Sequence, residues 1–340
     1  MNKPILLSDE ALKVAINNVF LQTRISPQII EKDLWVTTVL QLIFSLPLAD
    51  KLVFKGGTSL SKVWNVIQRF SEDIDMSIDR DLFDLHGDLT IKQIKKLRKE
   101  SSLFVKEIFC SALQKAFARH ELQHIFAIEP QPDGAGDKTY PEPRKIFIRY
   151  QSLFDDMPYL KSEIVLEIGA RSLFEPTAKR EIKSMISENL TIDTNVENNL
   201  INTAIPAKTF IEKVFLLHEI FTSNGRMLAN RKSRHLYDLE KMMDKEFAID
   251  AISDNVLWNT IRRHREKFTH VCGVDYTQDI RPNICLLPPK QVIVDWRQDY
   301  ETMQRTMIYG KSLNFDELIN RIEQLEKQIK NKSNEQQNNE

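Results

Sequence analysis

A glycine pair interrupts a sequence that otherwise uses glycine sparingly, since only 9 of its 340 residues are glycine. Gly56 and Gly57 lie between the apolar run of residues 51–55 and a helical pattern, and Thr58 and Ser59 follow them directly. Glycines at a strand-to-helix turn let backbone N–H groups approach a phosphate at the positive end of the helix. Taken alone, such a turn is more often structural, because glycine is favoured wherever φ is positive. The spacing also differs from that of a P-loop.

A pair of acids forms the second informative feature. Asp73 and Asp75 belong to a stretch, residues 73–79, that alternates polar and apolar side chains, which is the period of a β-strand. On a strand both carboxylates project from the same face and repel each other. A divalent cation removes that penalty, and Mg²⁺ prefers carboxylate oxygens together with substrate phosphates. The alternative is a pair of acids on a solvated strand edge.

The elements that must position these residues are predicted from periodicity and capping. Residues 8–22 show a helical pattern with Ser8 as its N-cap, and Ser26-Pro27 opens a second helix. Further predictions follow the chain: a strand at 51–55, a helix after the glycine pair, a strand at 73–79, helix over 90–120, paired strands in KIFIRYQSL and EIVLEIGAR, and mainly helices from about residue 207.

Composition narrows the class of protein. The chain has 47 basic and 48 acidic residues, so any contact with nucleic acid must come from a local patch. Three cysteines lie far apart without CxxC spacing, which argues against a zinc site and fits a reducing compartment. No signal peptide and no apolar run long enough to span a membrane is visible. We therefore expect a cytoplasmic protein without a membrane partner.

Together the glycine and acidic segments resemble the signature of the DNA polymerase β-like nucleotidyltransferase superfamily, GG[ST] followed by [DE]h[DE]. The stretches KGGTSLSK and RFSEDIDMSI, with the upstream EKDLWVT, resemble more narrowly the AbiEii/AbiGii toxin family of nucleotidyltransferases. The resemblance spans about residues 10–245. It implies an α+β fold, with a polymerase β-like nucleotidyltransferase core of mixed sheet and flanking helices, followed by a helical C-terminal domain.

The predicted domain organisation combines this resemblance with composition. Residues 1–200 are expected to form the nucleotidyltransferase domain with its N-terminal helices, and residues 201–330 the helical C-terminal domain. The low-complexity tail, residues 331–340, is predicted to be disordered.

The resemblance also implies a third carboxylate on a later strand. Glu167, an acid within an apolar strand pattern, fits best, and Glu163 on the same face is the competing choice. Asp73, Asp75 and Glu167 are then the implied catalytic ligands of Mg²⁺ or Mn²⁺, in the two-metal manner. The NTP-binding residues implied are Gly56, Gly57, Thr58, Ser59 and Ser71.

Two further catalytic residues are expected from the toxin family, a lysine on a helix and an aspartate downstream. Lys213 and Asp238 match by context. The lysine would neutralise charge on the triphosphate. Several arginines are additional candidates for phosphate or nucleic-acid contacts: Arg69, Arg171, Arg231, Arg234 and the basic run over residues 262–267.

The implied function is Mg²⁺-dependent transfer of a nucleoside monophosphate from an NTP to an acceptor hydroxyl, with tRNA 3′ ends as the expected RNA acceptor. The biological role would be that of a toxin in a toxin–antitoxin or phage-defence system, with a cognate antitoxin as partner. A small-molecule (antibiotic) nucleotidyltransferase is an alternative on the same fold. A non-catalytic NTP- or RNA-binding protein is another, and the intact Asp73 and Asp75 argue against it.

Overall fold

A computed structural model describes residues 8–71, 73–134, 139–155, 160–192, 195, 197 and 200–337, with side chains described as far as residue 332. The chain divides into two compact units. Unit 1 comprises Met1–Val63 and Ser71–Ala204, and unit 2 comprises Trp64–Phe70 and Ile205–Glu340. A short segment between the glycine pair and the acidic pair therefore belongs to the unit formed mainly by the C-terminal residues.

Unit 1 contains, within the described residues, one seven-stranded sheet. Its strands are β1 (Leu52–Lys55), β2 (Asp73–Ile78), β3 (Phe126–Pro130), β4 (Arg144–Tyr150), β5 (Glu163–Gly169), β6 (Thr177–Glu181) and β7 (Leu200–Ala204). They lie in the order β3-β4-β5-β2-β1-β7-β6. The β2–β5 and β1–β7 pairs are parallel, and the other neighbouring strands are antiparallel. The paired strands predicted from the KIFIRYQSL and EIVLEIGAR segments are confirmed as β4 and β5.

The helices of unit 1 are α1 (Asp9–Thr23), α2 (Pro27–Phe44), α3 (Gly56–Lys62), α4 (Ile91–Phe104), α5 (Cys110–Arg119) and α6 (Met185–Asn189). The predicted capping is confirmed, since the Ser8 and Ser26 hydroxyls accept hydrogen bonds from N–H groups of the first turns of α1 and α2. The helix predicted over residues 90–120 is interrupted by a π-helical turn, Val105–Phe109, between α4 and α5.

One face of the sheet is apolar and packs against helices. Ile74 and Met76 of β2 are buried on this face, whereas the alternate residues Asp73 and Asp75 are partly exposed on the other. Trp35 of α2 meets the Phe126 ring of β3 edge-on, with 5.2 Å between ring centroids. The core thus fixes the sheet from one side and leaves the acidic residues on the opposite side.

The helices of unit 2 are α7 (Pro206–Thr222), α8 (Arg234–Met242), α9 (Glu246–Ser253), α10 (Asn255–Phe268), α11 (Ile293–Thr306) and α12 (Phe315–Gln337). The predicted α+β class, with a mixed sheet followed by a helical C-terminal region, is confirmed. Helix α12 continues to Gln337, although the composition of the tail predicts disorder from residue 331. Lysine, glutamate and glutamine favour helix, which accounts for this continuation. Residues 338–340 of that tail lie outside the described residues.

Candidate active site

Neighbouring strands in unit 1 bring three acidic residues to one face of the sheet. Asp73 and Asp75 are two residues apart on β2 and therefore share a face. In the parallel β2–β5 ladder, Asp75 lies directly opposite Glu167 and Asp73 opposite Val165. Side chains directly opposite on adjacent strands are close neighbours. The register therefore places the Glu167 side chain beside the predicted metal ligands.

Glu163, the competing third acid, has a different setting on the same face of β5. It lies two residues before Val165, where the β2–β5 pairing begins, and it is opposite Arg149 of β4. The Arg149 guanidinium donates to Glu163 Oε2 at 2.7 Å and to Glu129 Oε2 at 2.8 Å. Glu163 thus belongs to a cross-strand ion-pair network rather than to the level of Asp75.

Two lysines flank the acids at the level of Asp75. Along the strand order β1-β2-β5-β4, Lys55 lies opposite Asp75, and Lys145 lies opposite Glu167. The Lys145 ammonium donates to Glu167 Oε1 at 2.7 Å. This hydrogen bond raises the pKa of Lys145 against the effect of its partial burial, and the charges of Asp73 and Asp75 raise it further. Neither lysine is predicted from the sequence, because their relation to the acids depends on strand register.

The glycine pair begins α3 immediately after β1, as predicted. Gly56 has φ +79°, and a Cβ added there would overlap the Asp75 carboxylate oxygen Oδ2. Thr58 and Ser59 are buried; the Ser59 hydroxyl donates within the turn to the Gly56 carbonyl oxygen, whereas the Thr58 hydroxyl donates to the Asp73 carbonyl oxygen of β2. The backbone therefore approaches the acidic strand closely, and the two hydroxyl protons are already engaged in shaping the turn and joining it to β2.

The position of α3 is fixed at its other end by a buried ion pair. Lys62, the last residue of α3, lies 2.6 Å from Asp33 Oδ1 of α2 and also donates to the carbonyl oxygen of Lys183. The second Asp33 oxygen accepts from the N–H of Met185 at 2.7 Å. Because α3 is short, such tertiary contacts rather than helix propensity determine where it lies. Asp33 is the aspartate of the EKDLWVT segment, for which the sequence suggested no role.

The other two charged residues of that segment hold connecting loops in place. Glu31 is fully buried in α2 and accepts from the Ser152 hydroxyl at 2.6 Å and the Leu153 N–H at 2.9 Å. Burial raises the pKa of Glu31, although these hydrogen bonds oppose the rise. Lys32, also buried, donates to the Lys161 carbonyl oxygen at 3.1 Å. The loop between β4 and β5 is thereby attached to α2.

Glu142 is a buried acid that the sequence analysis missed. Its side chain is 3% exposed, and Oε1 accepts from the N–H groups of Ala170 and Arg171 at 2.7 and 3.1 Å. Burial raises its pKa, while the Arg171 N–H and the charges of Arg171 and Lys55 lower it. An added Cβ at Gly169 would overlap Glu142 Oε1. Glu142 therefore fixes the end of β5, two residues beyond Glu167, and Arg171 belongs to this arrangement.

A second cluster of predicted residues lies wholly within unit 2. The Arg69 guanidinium donates to both carboxylate oxygens of Asp238, at 2.7 and 2.8 Å, and Lys213 lies 2.8 Å from Asp238 Oδ2. Asp238 is fully buried, Arg69 is 1% exposed and Lys213 8%. Burial alone would raise the pKa of Asp238, but the two cations outweigh it and hold this pKa well below its ordinary value.

Lys213 and Asp238, predicted separately, are thus in direct contact, and Arg69 completes their cluster. Arg69 was expected to be a candidate phosphate contact, whereas its guanidinium is buried and held by Asp238. Burial lowers the pKa of Lys213. His235 Nδ1 lies 3.4 Å from the Lys213 ammonium, and burial holds the pKa of His235 well below its usual range. The predicted residues Asp73, Asp75 and Glu167 belong to unit 1.

The remaining candidates have mixed settings. Ser71 is buried, two residues before Asp73. Arg231 is exposed and its N–H donates to Asp299. In the basic run of α10, Arg265 pairs with buried Glu219, and Arg262 donates to a backbone carbonyl. Part of this run therefore stabilises unit 2 rather than forming an open basic patch.

The acidic face has the donor chemistry of a divalent-cation site. Carboxylate oxygens of Asp73, Asp75 and Glu167 are hard ligands of the kind that Mg²⁺ and Mn²⁺ prefer. No three His, Cys, Asp or Glu side chains converge closely enough to hold an ion within the described ranges. The Lys145 ammonium pairs with Glu167 instead. The three carboxylates are therefore of the type that binds a divalent cation. In this structure the Lys145 ammonium is the partner of Glu167.

Comparison with known proteins decides the family. A family model described as the nucleotidyl transferase AbiEii toxin of a type IV toxin–antitoxin system matches residues 40–321, which is most of the chain. The chain belongs to the AbiEii nucleotidyltransferase toxin family. The protein is therefore a nucleotidyltransferase, as the motifs predicted. No curated protein sequence matches it.

The AbiEii fold is also found in a solved structure. MenT4, a nucleotidyltransferase toxin from Mycobacterium tuberculosis H37Rv, aligns with a TM-score of 0.57 at 16% sequence identity. The alignment covers 95% of this chain and 89% of MenT4. At this identity the similarity concerns the fold. Among the described residues of this AbiEii family member, no helix is both long and apolar enough to cross a bilayer.

Proposed function

We propose that this toxin transfers a nucleoside monophosphate from an NTP to a hydroxyl group of RNA, at the 3′ end of tRNA, and acts in phage defence. Asp73, Asp75 and Glu167 are the proposed ligands of Mg²⁺ or Mn²⁺. The observation that carries the proposal is the pairing of Asp75 with Glu167 across β2 and β5, next to the glycine turn. Since NTPs and tRNA are cytoplasmic, we place the reaction in the cytoplasm.

The turn at the start of α3 is the proposed triphosphate-binding segment. The first N–H groups of a helix have no acceptor within it, so those of Gly56, Gly57 and Thr58 can donate to phosphate oxygens, with Ser59 in the turn behind them. The hydroxyls of Thr58 and Ser59 shape this turn by donating to backbone carbonyls. Ser71, buried just before β2, is the further proposed NTP-binding residue.

The proposed role of Asp73, Asp75 and Glu167 is to position the phosphates and the acceptor hydroxyl beside the glycine turn. A bound divalent cation supplies charge neutralisation and orientation of the phosphates. Asp73 and Asp75 of β2 would hold it, and Glu167 of β5 would help to hold it and to orient the acceptor hydroxyl. Because phosphoryl transfer depends mostly on positioning and charge stabilisation, rigid strand positions suit this role.

Lys213 and Asp238 are proposed to serve the same reaction as a unit. Asp238 holds the Lys213 ammonium at 2.8 Å and the Arg69 guanidinium by two hydrogen bonds. One carboxylate thus fixes two cations, which leaves a net positive charge for binding an anionic substrate. The toxin family implies a cognate antitoxin as partner, which co-purification with this protein would identify.

The test is incubation of the purified protein with Mg²⁺, each labelled NTP and total RNA. We expect labelled tRNA with one or more NTPs, and none with Asp73→Ala or Asp75→Ala. Glu167→Gln should lose activity, whereas the matched variant Glu163→Gln should retain it, because Glu163 pairs with Arg149 instead. Sequencing of RNA 3′ ends then identifies the added nucleotide.

Three results would change the assignment. Labelling that persists in both aspartate variants contradicts the metal-ligand assignment. A labelled small molecule such as an antibiotic, with unlabelled RNA, points to a small-molecule nucleotidyltransferase. Loss of activity in Glu163→Gln but not in Glu167→Gln exchanges the two candidates for the third carboxylate.

A further inference from the structure

Lys145 occupies a distinctive position beside the proposed metal ligands. It lies on β4 directly opposite Glu167, which itself lies opposite Asp75. Its Nζ is 2.7 Å from Glu167 Oε1, with 40% of the lysine side chain and 25% of the glutamate exposed. The backbone on both sides is fixed in the sheet, so the two side chains are free to separate without any movement of the strands.

The pair is not needed to keep β4 and β5 together. The β4–β5 ladder runs from the Arg144–Ile168 pair to the Arg149–Glu163 pair and joins the two strands along its length. On the other side of β4, the Lys145 N–H donates to Gln131 Oε1 and its carbonyl accepts from the Gln131 N–H at 2.8 Å. The next cross-strand ion pair on the same face, between Arg149 and Glu163, lies beyond the level of Asp73. Both are ion pairs between a basic residue of β4 and a glutamate of β5. Only the Lys145–Glu167 pair lies beside Asp75 of β2.

The Lys145 ammonium and a divalent cation at the same carboxylates compete for Glu167. Both are attracted to its negative charge, and two positive charges a few ångströms apart repel each other where water is partly excluded. Movement of the Lys145 ammonium away from Glu167 therefore favours binding of the cation. Phosphate oxygens of an NTP offer the displaced ammonium a new partner and the cation additional ligands.

We propose that Lys145 is a positioning residue that holds Glu167 in the metal-free toxin and competes with the divalent cation for it. The inference rests on the proposed metal site. Binding of the cation then depends on binding of NTP. The phosphate oxygens of the NTP provide a new partner for the Lys145 ammonium and additional ligands for the cation.

The test is Mn²⁺ titration of the NTP-free protein, with free Mn²⁺ followed by electron paramagnetic resonance. In Lys145→Met, Mn²⁺ affinity should rise about tenfold, within the usual range of coupling between two binding events. Lys145→Arg keeps the positive charge and should remain close to wild type. Arg149→Met removes the matched ion pair and should leave the affinity unchanged. Thermal unfolding of each variant verifies that it is folded, which we expect because Lys145 is partly exposed.

The outcomes separate this inference from the metal site itself. If Asp73→Asn abolishes Mn²⁺ binding while Lys145→Met leaves it unchanged or weaker, the metal site stands and the role of Lys145 is wrong. If Lys145→Met and Arg149→Met raise the affinity equally, a general charge effect replaces the specific competition. If no Mn²⁺ binds to wild type or Lys145→Met, or if Asp73→Asn binds as wild type does, the metal site and this inference both fail.

Discussion

Gly56 and Asp75 are packed so closely that the space for a side chain on the glycine is already taken by the carboxylate of the aspartate. The glycine starts α3, and the aspartate lies opposite Lys55 in the β1–β2 ladder. The glycine turn and the acidic strand are therefore one structural arrangement. A side chain added at Gly56 must displace the Asp75 carboxylate.

Gly56→Ala should reduce the rate of nucleotidyl transfer about a hundredfold while the protein stays folded. The methyl group would push the Asp75 carboxylate out of place, and a displacement of about 1 Å in an active site can cost about a hundredfold in rate. The positive φ adds a strain of about 1–2 kcal/mol. Labelling activity and thermal unfolding, measured side by side, verify both parts.

Gly87→Ala is the matched control for this prediction. Gly87 also has a positive φ, +62°, but an added Cβ there meets nothing within 4 Å. It should lose similar stability and keep full activity. Equal losses of activity in Gly56→Ala and Gly87→Ala would show that backbone strain, rather than displacement of Asp75, is responsible.

Asp238→Asn should strongly destabilise unit 2. The substitution leaves the buried Arg69 and Lys213 without their anion, and breaking a buried ion pair costs about 3–5 kcal/mol. Urea unfolding followed by the fluorescence of the tryptophans measures the loss. Asp316→Asn is the control, because Asp316 makes a similar two-bond pair with Arg297 but is 75% exposed. A loss no larger than that of Asp316→Asn would contradict the importance of burial.

The contribution of Asp238 to stability should disappear in acid. Because its pKa in the folded protein is held well below the ordinary value of 3.8, folding favours the charged form. The stabilisation is complete above the unfolded-state pKa and is lost as the pH falls through the folded-state pKa. The difference in unfolding free energy between wild type and Asp238→Asn should be constant from pH 7 to about pH 5 and shrink below about pH 4. If the difference in unfolding free energy already falls between pH 8 and pH 6, the pH dependence arises from a group other than Asp238.

Lys62→Met should weaken NTP binding more than it slows the chemical step. The substitution removes the cation that holds α3 against Asp33, so the start of α3 loses its fixed position. We expect the KM for NTP to rise roughly tenfold with a smaller change in kcat. Lys62→Arg should restore most of the binding. Steady-state kinetics over a range of NTP concentrations makes the distinction.

Lys51→Met provides the comparison for Lys62→Met. Lys51 makes a Lys–Asp pair of similar length, 2.8 Å to Asp79, at the opposite end of β1 from the glycine turn. It should leave the KM unchanged. If both methionine variants raise the KM alike, loss of charge in unit 1 is the cause and α3 has no special dependence on Asp33.

Local patterns were sufficient to predict the elements of the site. Alternation placed Asp73 and Asp75 on one face of β2, and the apolar run followed by glycines placed the turn before α3. These properties depend only on neighbours in the chain. The role of Asp33 could not be predicted, because its partners Lys62 and Met185 are remote in sequence.

Register and long-range pairing determine what the sequence left open. The choice between Glu163 and Glu167 depends on which residue of β5 lies opposite Asp75, and one step of slip would change every pair. Arg69 resembled an ordinary surface arginine because its partner, Asp238, is far away in the chain. The assignment of Trp64–Phe70 to unit 2 gives no signal in composition.

The proposed carboxylates are neighbours in the sheet but are far apart in the chain. Strand β5 lies beside β2, and yet a ribosome makes Asp75 about ninety residues before Glu167. During that interval the nascent chain contains the glycine turn and the acidic pair but lacks the strands that complete the sheet around them. If Glu167 is required as we propose, a nascent chain shorter than about half of the protein cannot contain the complete set of proposed carboxylates.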